Sequence, residues 1–85
     1  MITILFYMTA KTERLAEVET LAKEMMARTR AEEGCLGYTI YRRADQPRDY
    51  VLLEPHPSTH HRRRLPKALL ALFEKTEAVR YDALE

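Results

Sequence analysis

Three histidines, five tyrosines, one cysteine and a cluster of arginines supply most of the side chains in this 85-residue chain that could do chemistry. Histidine comes first, because its unperturbed pKa near neutrality suits it to take or give a proton. His56, His60 and His61 are therefore candidate general bases, and the alternative for each is a solvated loop histidine. His56 and His60 are four apart, a spacing that shares one helical face. Pro55 and Pro57 oppose a helix there, so no metal site is predicted. The run His60 to Arg64 (HHRRR) reads either as an anion contact or as a charged loop in water. A net charge of +1 favours the loop. With no interleaved aromatics, nucleic-acid binding is not predicted.

The remaining candidates lie on predicted strands. Tyr7, Tyr38 and Tyr41 either pack, with the hydroxyl bonded to a neighbour, or orient a phenolic ligand. Thr9 offers a hydroxyl at a strand end. Cys35 has no base beside it in sequence and reads as a structural thiol; being the only cysteine, it forms no intrachain disulfide. Met8, Met25 and Met26 read as core filling.

The elements that position these residues follow from periodicity. Ile2 to Thr9 (ITILFYMT) is rich in β-branched and aromatic residues and apolar on both alternating faces, which predicts a strand covered on two sides. Glu13 to Glu32 predicts a helix, with Thr12 as N-cap and Leu15, Val18, Ala22, Met25 and Thr29 along its apolar stripe. Gly34 stands where a left-handed cap would end it. Leu36 to Arg43 and Tyr50 to Glu54 predict two strands joined as a hairpin across a turn at Asp45, Gln46 and Pro47. The segment 55–64 reads as an irregular loop. A second helix is predicted from about Pro66 to Lys75, striped by Leu65, Leu69, Leu72 and Phe73, and a last strand from Ala78 to Leu84.

This order is β-α-β-β-α-β, the α+β ferredoxin-like pattern: a four-stranded antiparallel sheet with helices on one face, in one domain over residues 1–85. Strands one and three, apolar on both sides, belong in the middle. Strands two and four, carrying Arg42, Arg43, Arg80 and Asp82, belong at the edges. Two helices cover only one face of such a sheet. A homodimer packed through the other face is the expected cover, and a solvated face is the alternative. Hydrophobic residues at 46% and charged residues at 32% fit a globular chain. No apolar run approaches the ~20 residues that span a bilayer, and no leader-like segment is read, so a cytoplasmic protein without membrane contact is expected.

Several segments together are similar to one family. EEGCLGYTIYR at 32–42 resembles its glycine-containing turn into a tyrosine-bearing strand, and DYVLLE at 49–54 its next strand, which ends in a glutamate. AK at 10–11 before a long amphipathic helix, and VRY at 79–81, fit as well. The chain is identified on these segments as resembling the antibiotic biosynthesis monooxygenase family. The resemblance implies a dimeric α+β barrel with a small-molecule cavity between sheet and helices. Characterised relatives oxidise polycyclic phenols to quinones with oxygen and no metal or flavin, and others degrade haem. The chain departs from the family where a tryptophan commonly follows the strand-three glutamate by two residues, for here Glu54 precedes Pro55 and His56. The family's longer helical segment after that strand is also shortened.

The resemblance therefore implies a cofactor-independent monooxygenase acting on a small aromatic or quinone-like metabolite. His56 is the candidate base, and Tyr7, Thr9, Tyr38 and Glu54 are candidate pocket residues. Two alternatives stand beside it. One is a non-catalytic dimeric small-molecule-binding module. The other is a haem-binding relative, for which His60 or His61 would supply the axial ligand.

Overall fold

Two stretches of the chain are apolar on both alternating faces, and both lie in the middle of the sheet. The computed structural model describes residues 2–33, 35–56 and 67–84. Along them run β1 (Ile2–Ala10), a single 3-10 turn (Thr12–Arg14), α1 (Leu15–Arg30), β2 (Thr39–Arg42), β3 (Asp49–His56), α2 (Lys67–Leu70) and β4 (Phe73–Asp82). The sheet order is β2-β3-β1-β4, with every pairing antiparallel. This is the expected ferredoxin-like α+β arrangement, with the charged strands at the edges. None of the described helices is long and apolar enough to cross a membrane.

The element bounds differ from the sequence expectation for physical reasons. Thr12 was expected to cap the first helix but lies within the 3-10 turn, and neither that turn nor α1 has a side-chain cap. Instead the Lys11 N–H donates to the Leu72 carbonyl at 2.9 Å, so a tertiary bond fixes the entry. β2 begins at Thr39 rather than Leu36, because Arg30 engages the chain just before it. Its Nε donates to the Tyr38 carbonyl at 2.9 Å, and a second nitrogen donates to Thr39 Oγ1 at 3.1 Å. Gly37 passes so close to Pro55 that a Cβ there would stand 3.3 Å from the proline ring.

β3 is longer than expected and includes Pro55. Proline is tolerated because the β2 ladder reaches only Leu53, so on that side Pro55 has no pairing to break. The second helix is shorter than expected, with α2 ending at Leu70, and β4 starts five residues early. The residues from Phe73 to Glu77 continue the ladder with β1, through a β-bulge. Thr9 pairs with Lys75, whereas Ala10 pairs with Phe73, leaving Glu74 as the extra residue. Arg48 braces this point, its Nε donating to the Ala10 carbonyl at 3.0 Å and its terminal nitrogen to Glu74. The expected Gly34 cap, His60, His61, the basic run 60–64, Leu65 and Pro66 lie outside the described residues.

The helices pack on one face. Met8, Val18, Tyr38, Leu52, Leu69 and Phe73 form the centre of that core, with Leu15, Leu21 and Met25 against it. Paired strand residues share a face. The other face therefore carries Leu5, Tyr7, Thr9, Tyr41, Val51, Leu53, Val79 and Tyr81. No described element covers it: Tyr41 is 52% and Tyr81 49% exposed.

Candidate functional site

On the uncovered face, at the end where β1 leaves the sheet, lies a hollow of about 810 Å³. Its floor is two cross-strand rows. The first runs Tyr41–Val51–Tyr7–Glu77, apolar or aromatic until its last member. The second runs Arg43–Asp49–Thr9–Lys75, entirely polar. A flat molecule with one apolar side and one charged edge matches this pair of rows in shape and chemistry.

The polar row is internally ordered. Thr9 Oγ1 donates to Asp49 Oδ1 at 2.9 Å. Arg43 approaches the other Asp49 oxygen at 3.8 Å and also holds Asp45, its Nε donating at 2.6 Å. Arg43 holds the Asp45 carboxyl below its ordinary value, chiefly through that bond. Both oxygens of Asp49 are thus engaged. Arg42, at the rim, donates to Glu19 on α1 at 2.7 Å, and the Tyr50 hydroxyl shares that carboxylate at 3.3 Å. Among the described residues, Lys75 forms no ion pair.

Two phenols in or under the hollow resist ionisation. Tyr7 is pushed above its ordinary value first by a hydrogen bond to Tyr81, then by desolvation and the nearby Glu77 charge. Tyr50 is pushed up chiefly by burial, with Glu19 adding to it. Both are therefore hydrogen-bond donors at neutral pH, not bases.

The sequence candidates fall into two sets on opposite faces. Tyr7 and Thr9 line the hollow. Tyr38 and Glu54 are 1% and 5% exposed and belong to the buried side. His56 is the last residue of β3, opposite Ile2, whereas the hollow lies around Asp49 and Val51. His56 lies seven strand steps from Asp49, roughly 23 Å of backbone at ~3.3 Å per residue. The described hollow opens on the free face, not between sheet and helices as the resemblance implied. Below the sheet that space is occupied by Tyr38, Met8, Leu69 and Val18. Tyr41 was read from sequence as packing or orienting a phenolic ligand, whereas Arg43, Asp49 and Lys75 were not singled out as site residues. The signal for Tyr41, Arg43 and Asp49 was the hairpin itself, which sets Tyr41 opposite Val51 and Arg43 beside Asp49 once the register is known.

The sequence profile of antibiotic biosynthesis monooxygenases matches residues 1–55. The chain belongs to the antibiotic biosynthesis monooxygenase family. The match spans β1 to β3 and so contains most of the hollow, but not Lys75 or Glu77. Among solved structures, one named antibiotic biosynthesis monooxygenase is 25% identical, with full coverage of both chains and a TM-score of 0.85. A protein from Deinococcus radiodurans assigned to the same family is also 25% identical, covering 100% of this chain and 94% of its own, with a TM-score of 0.83. A variant of SnoaB, a cofactor-independent oxygenase from Streptomyces nogalater, is 22% identical over 99% of this chain and 93% of its own. Its TM-score of 0.78 speaks for the shared fold. No curated protein sequence matches the chain.

Proposed function

We propose that this protein is a cofactor-independent monooxygenase acting on a small aromatic or quinone-like metabolite, and that it works as a homodimer in the cytoplasm. The observation that carries this reading is the hollow, with Tyr7, Tyr41 and Val51 forming an apolar floor beside a polar row, in a chain of this family. A second copy packed on the free sheet face would roof it and exclude water. In cofactor-free oxygenation a phenol first loses a proton, giving an electron-rich anion that reacts with oxygen. Histidine is the natural base near neutrality, and His56 stands as the proposed one for a substrate that reaches the far end of β3. Asp49 is its rival for a substrate held in the hollow. They occupy opposite ends of β3, so substitution separates them.

The test is oxygen uptake with a hydroquinone or an anthrone, without added metal. Uptake is expected from the natural chain, and His56→Ala is expected to lower it at least tenfold, within the range of ~10²–10⁴ for a general base. Turnover unchanged in His56→Ala but lost in Asp49→Asn would move the base into the hollow. A non-catalytic dimeric binding module is the second reading. One observation favours it: the space beneath the sheet is filled by core side chains. Binding of the same aromatic compounds with no oxygen consumed would establish that reading instead.

A further inference from the structure

We infer that Met26 is a peroxide-sensitive latch, whose thioether holds the outer edge of β2 to α1 and whose sulfoxide releases it. Turnover at the hollow plays no part in it. β2 is an edge strand, paired with β3 alone. The Arg43 N–H donates to the Asp49 carbonyl at 2.8 Å, so alternate residues back from it, Tyr41 and Thr39, direct their backbone groups at β3. Tyr38 and Ile40 direct theirs outward, where an edge strand ordinarily meets water or another chain. Two side chains of α1, one turn apart, close that edge instead. Arg30 Nε donates to the Tyr38 carbonyl at 2.9 Å. The Ile40 N–H donates to Met26 Sδ at 3.4 Å. A terminal nitrogen of Arg30 donates to the same sulfur at 3.7 Å.

The sulfur that takes both donors is on a half-buried side chain packed against the core. A thioether is a weak acceptor, and its two lone pairs are its only acceptor sites. Hydrogen peroxide oxidises it by passing one oxygen to the sulfur. A sulfur lone pair forms the S–O bond, the O–O bond breaks, and the other oxygen leaves as water. The sulfur loses two electrons and the peroxide gains them. With two donors on the sulfur, whichever lone pair takes the oxygen, that oxygen enters space a donor nitrogen now occupies. The product is also polar where the thioether met apolar neighbours. The oxidised side chain therefore swings out to water, and the Ile40 N–H is left without its acceptor. Met8 is 2% exposed and shielded from peroxide. Met25 is half-buried but accepts no hydrogen bond among the described residues.

The experiment is hydrogen exchange of the full chain, read at single amides by NMR before and after mild hydrogen peroxide, in a Met25→Leu background. Peptide mass mapping locates the sulfoxide. Met26 is expected to be oxidised, and the Ile40 amide to exchange roughly two- to tenfold faster, the worth of one lost hydrogen bond. Thr39 and Tyr41, whose N–H groups face β3, are expected to keep their rates. Met26→Leu keeps the volume and offers no acceptor. It is expected to give the fast Ile40 rate without peroxide and no further change with it. Methionine sulfoxide reductase is expected to restore the slow rate in the oxidised chain. A Met26 that peroxide leaves intact, or an Ile40 rate unmoved by oxidation or by Met26→Leu, overturns the inference. So does an equal rise at Ile40, Thr39, Tyr41 and the core residue Leu52, which would mean general loosening and no latch.

Discussion

The two faces of this sheet are built from the same four strands yet differ in what their side chains do. The helix-covered face encloses Met8, Tyr38, Leu52 and Leu69, nearly all of their surface lost to neighbours. The free face presents tyrosines, aliphatics and one ordered polar row with no described element above them. The difference shows how a domain of this size divides its labour. One face holds the fold together, and the other is the face proposed to meet a ligand and a second copy. A domain this short buries only on the order of 60% of its unfolded surface, so covering the second face would add stability as well as function.

The sharpest way to test this division is to truncate one residue on each side of β3. Leu52→Ala is expected to cost about 2–5 kcal/mol in urea unfolding, because it opens a cavity in a filled core. Its neighbour Leu53→Ala, on the free face, is expected to cost under about 1 kcal/mol in dilute solution. Equal losses would mean that the faces are not distinct. The next test concerns association. Leu53→Asp places a charge in the proposed contact and is expected to convert a dimer to a monomer by sedimentation velocity. A natural chain that sediments as a monomer at all concentrations would contradict the sheet-to-sheet pairing.

Smaller effects probe the polar row and the buried phenol. Thr9→Val removes the donor to Asp49 and is expected to cost about 0.5–1.5 kcal/mol, read from thermal unfolding. An unchanged stability would make that bond incidental. Tyr50 supplies a pH test on the covered side. Its folded pKa is raised by burial, so the unfolded chain loses that proton first as pH rises. Its contribution is fully present below the ordinary tyrosine value and is lost as pH climbs from there through the raised one. Tyr50→Phe is therefore expected to flatten the alkaline fall in stability. A fall of the same steepness would show that burial of this phenol is not its cause.

Much of the helix-covered face was legible in the sequence, and less of the free one. Ile2 to Thr9 and Tyr50 to Glu54 are apolar on both alternating faces, and that alone placed them centrally. The charges at Arg42, Arg80 and Asp82 marked the edges. The last helix and strand were misjudged because Leu69, Leu72 and Phe73 fall at helical spacing, while the bulge at Glu74 breaks the strand alternation that would have revealed β4. Tyr7 and Thr9 could be proposed for the site because their strand was clear. Asp49 reads locally as a turn residue, and Lys75 as a helix end. Their roles depend on cross-strand register, which no local pattern encodes. Glu54 shows the converse: a glutamate at a strand end carries no sequence sign of being buried.

The claim on which the rest depends is that ligand recognition belongs to the free face. Titrating isotopically labelled protein with 1-hydroxy-2-naphthoate, while following backbone amide shifts, tests it directly. The expected result is that the largest shifts cluster at Tyr7, Thr9, Tyr41, Val51 and Lys75. Shifts centred instead on Tyr38, Leu52 and Leu69, with the free face silent, would contradict it.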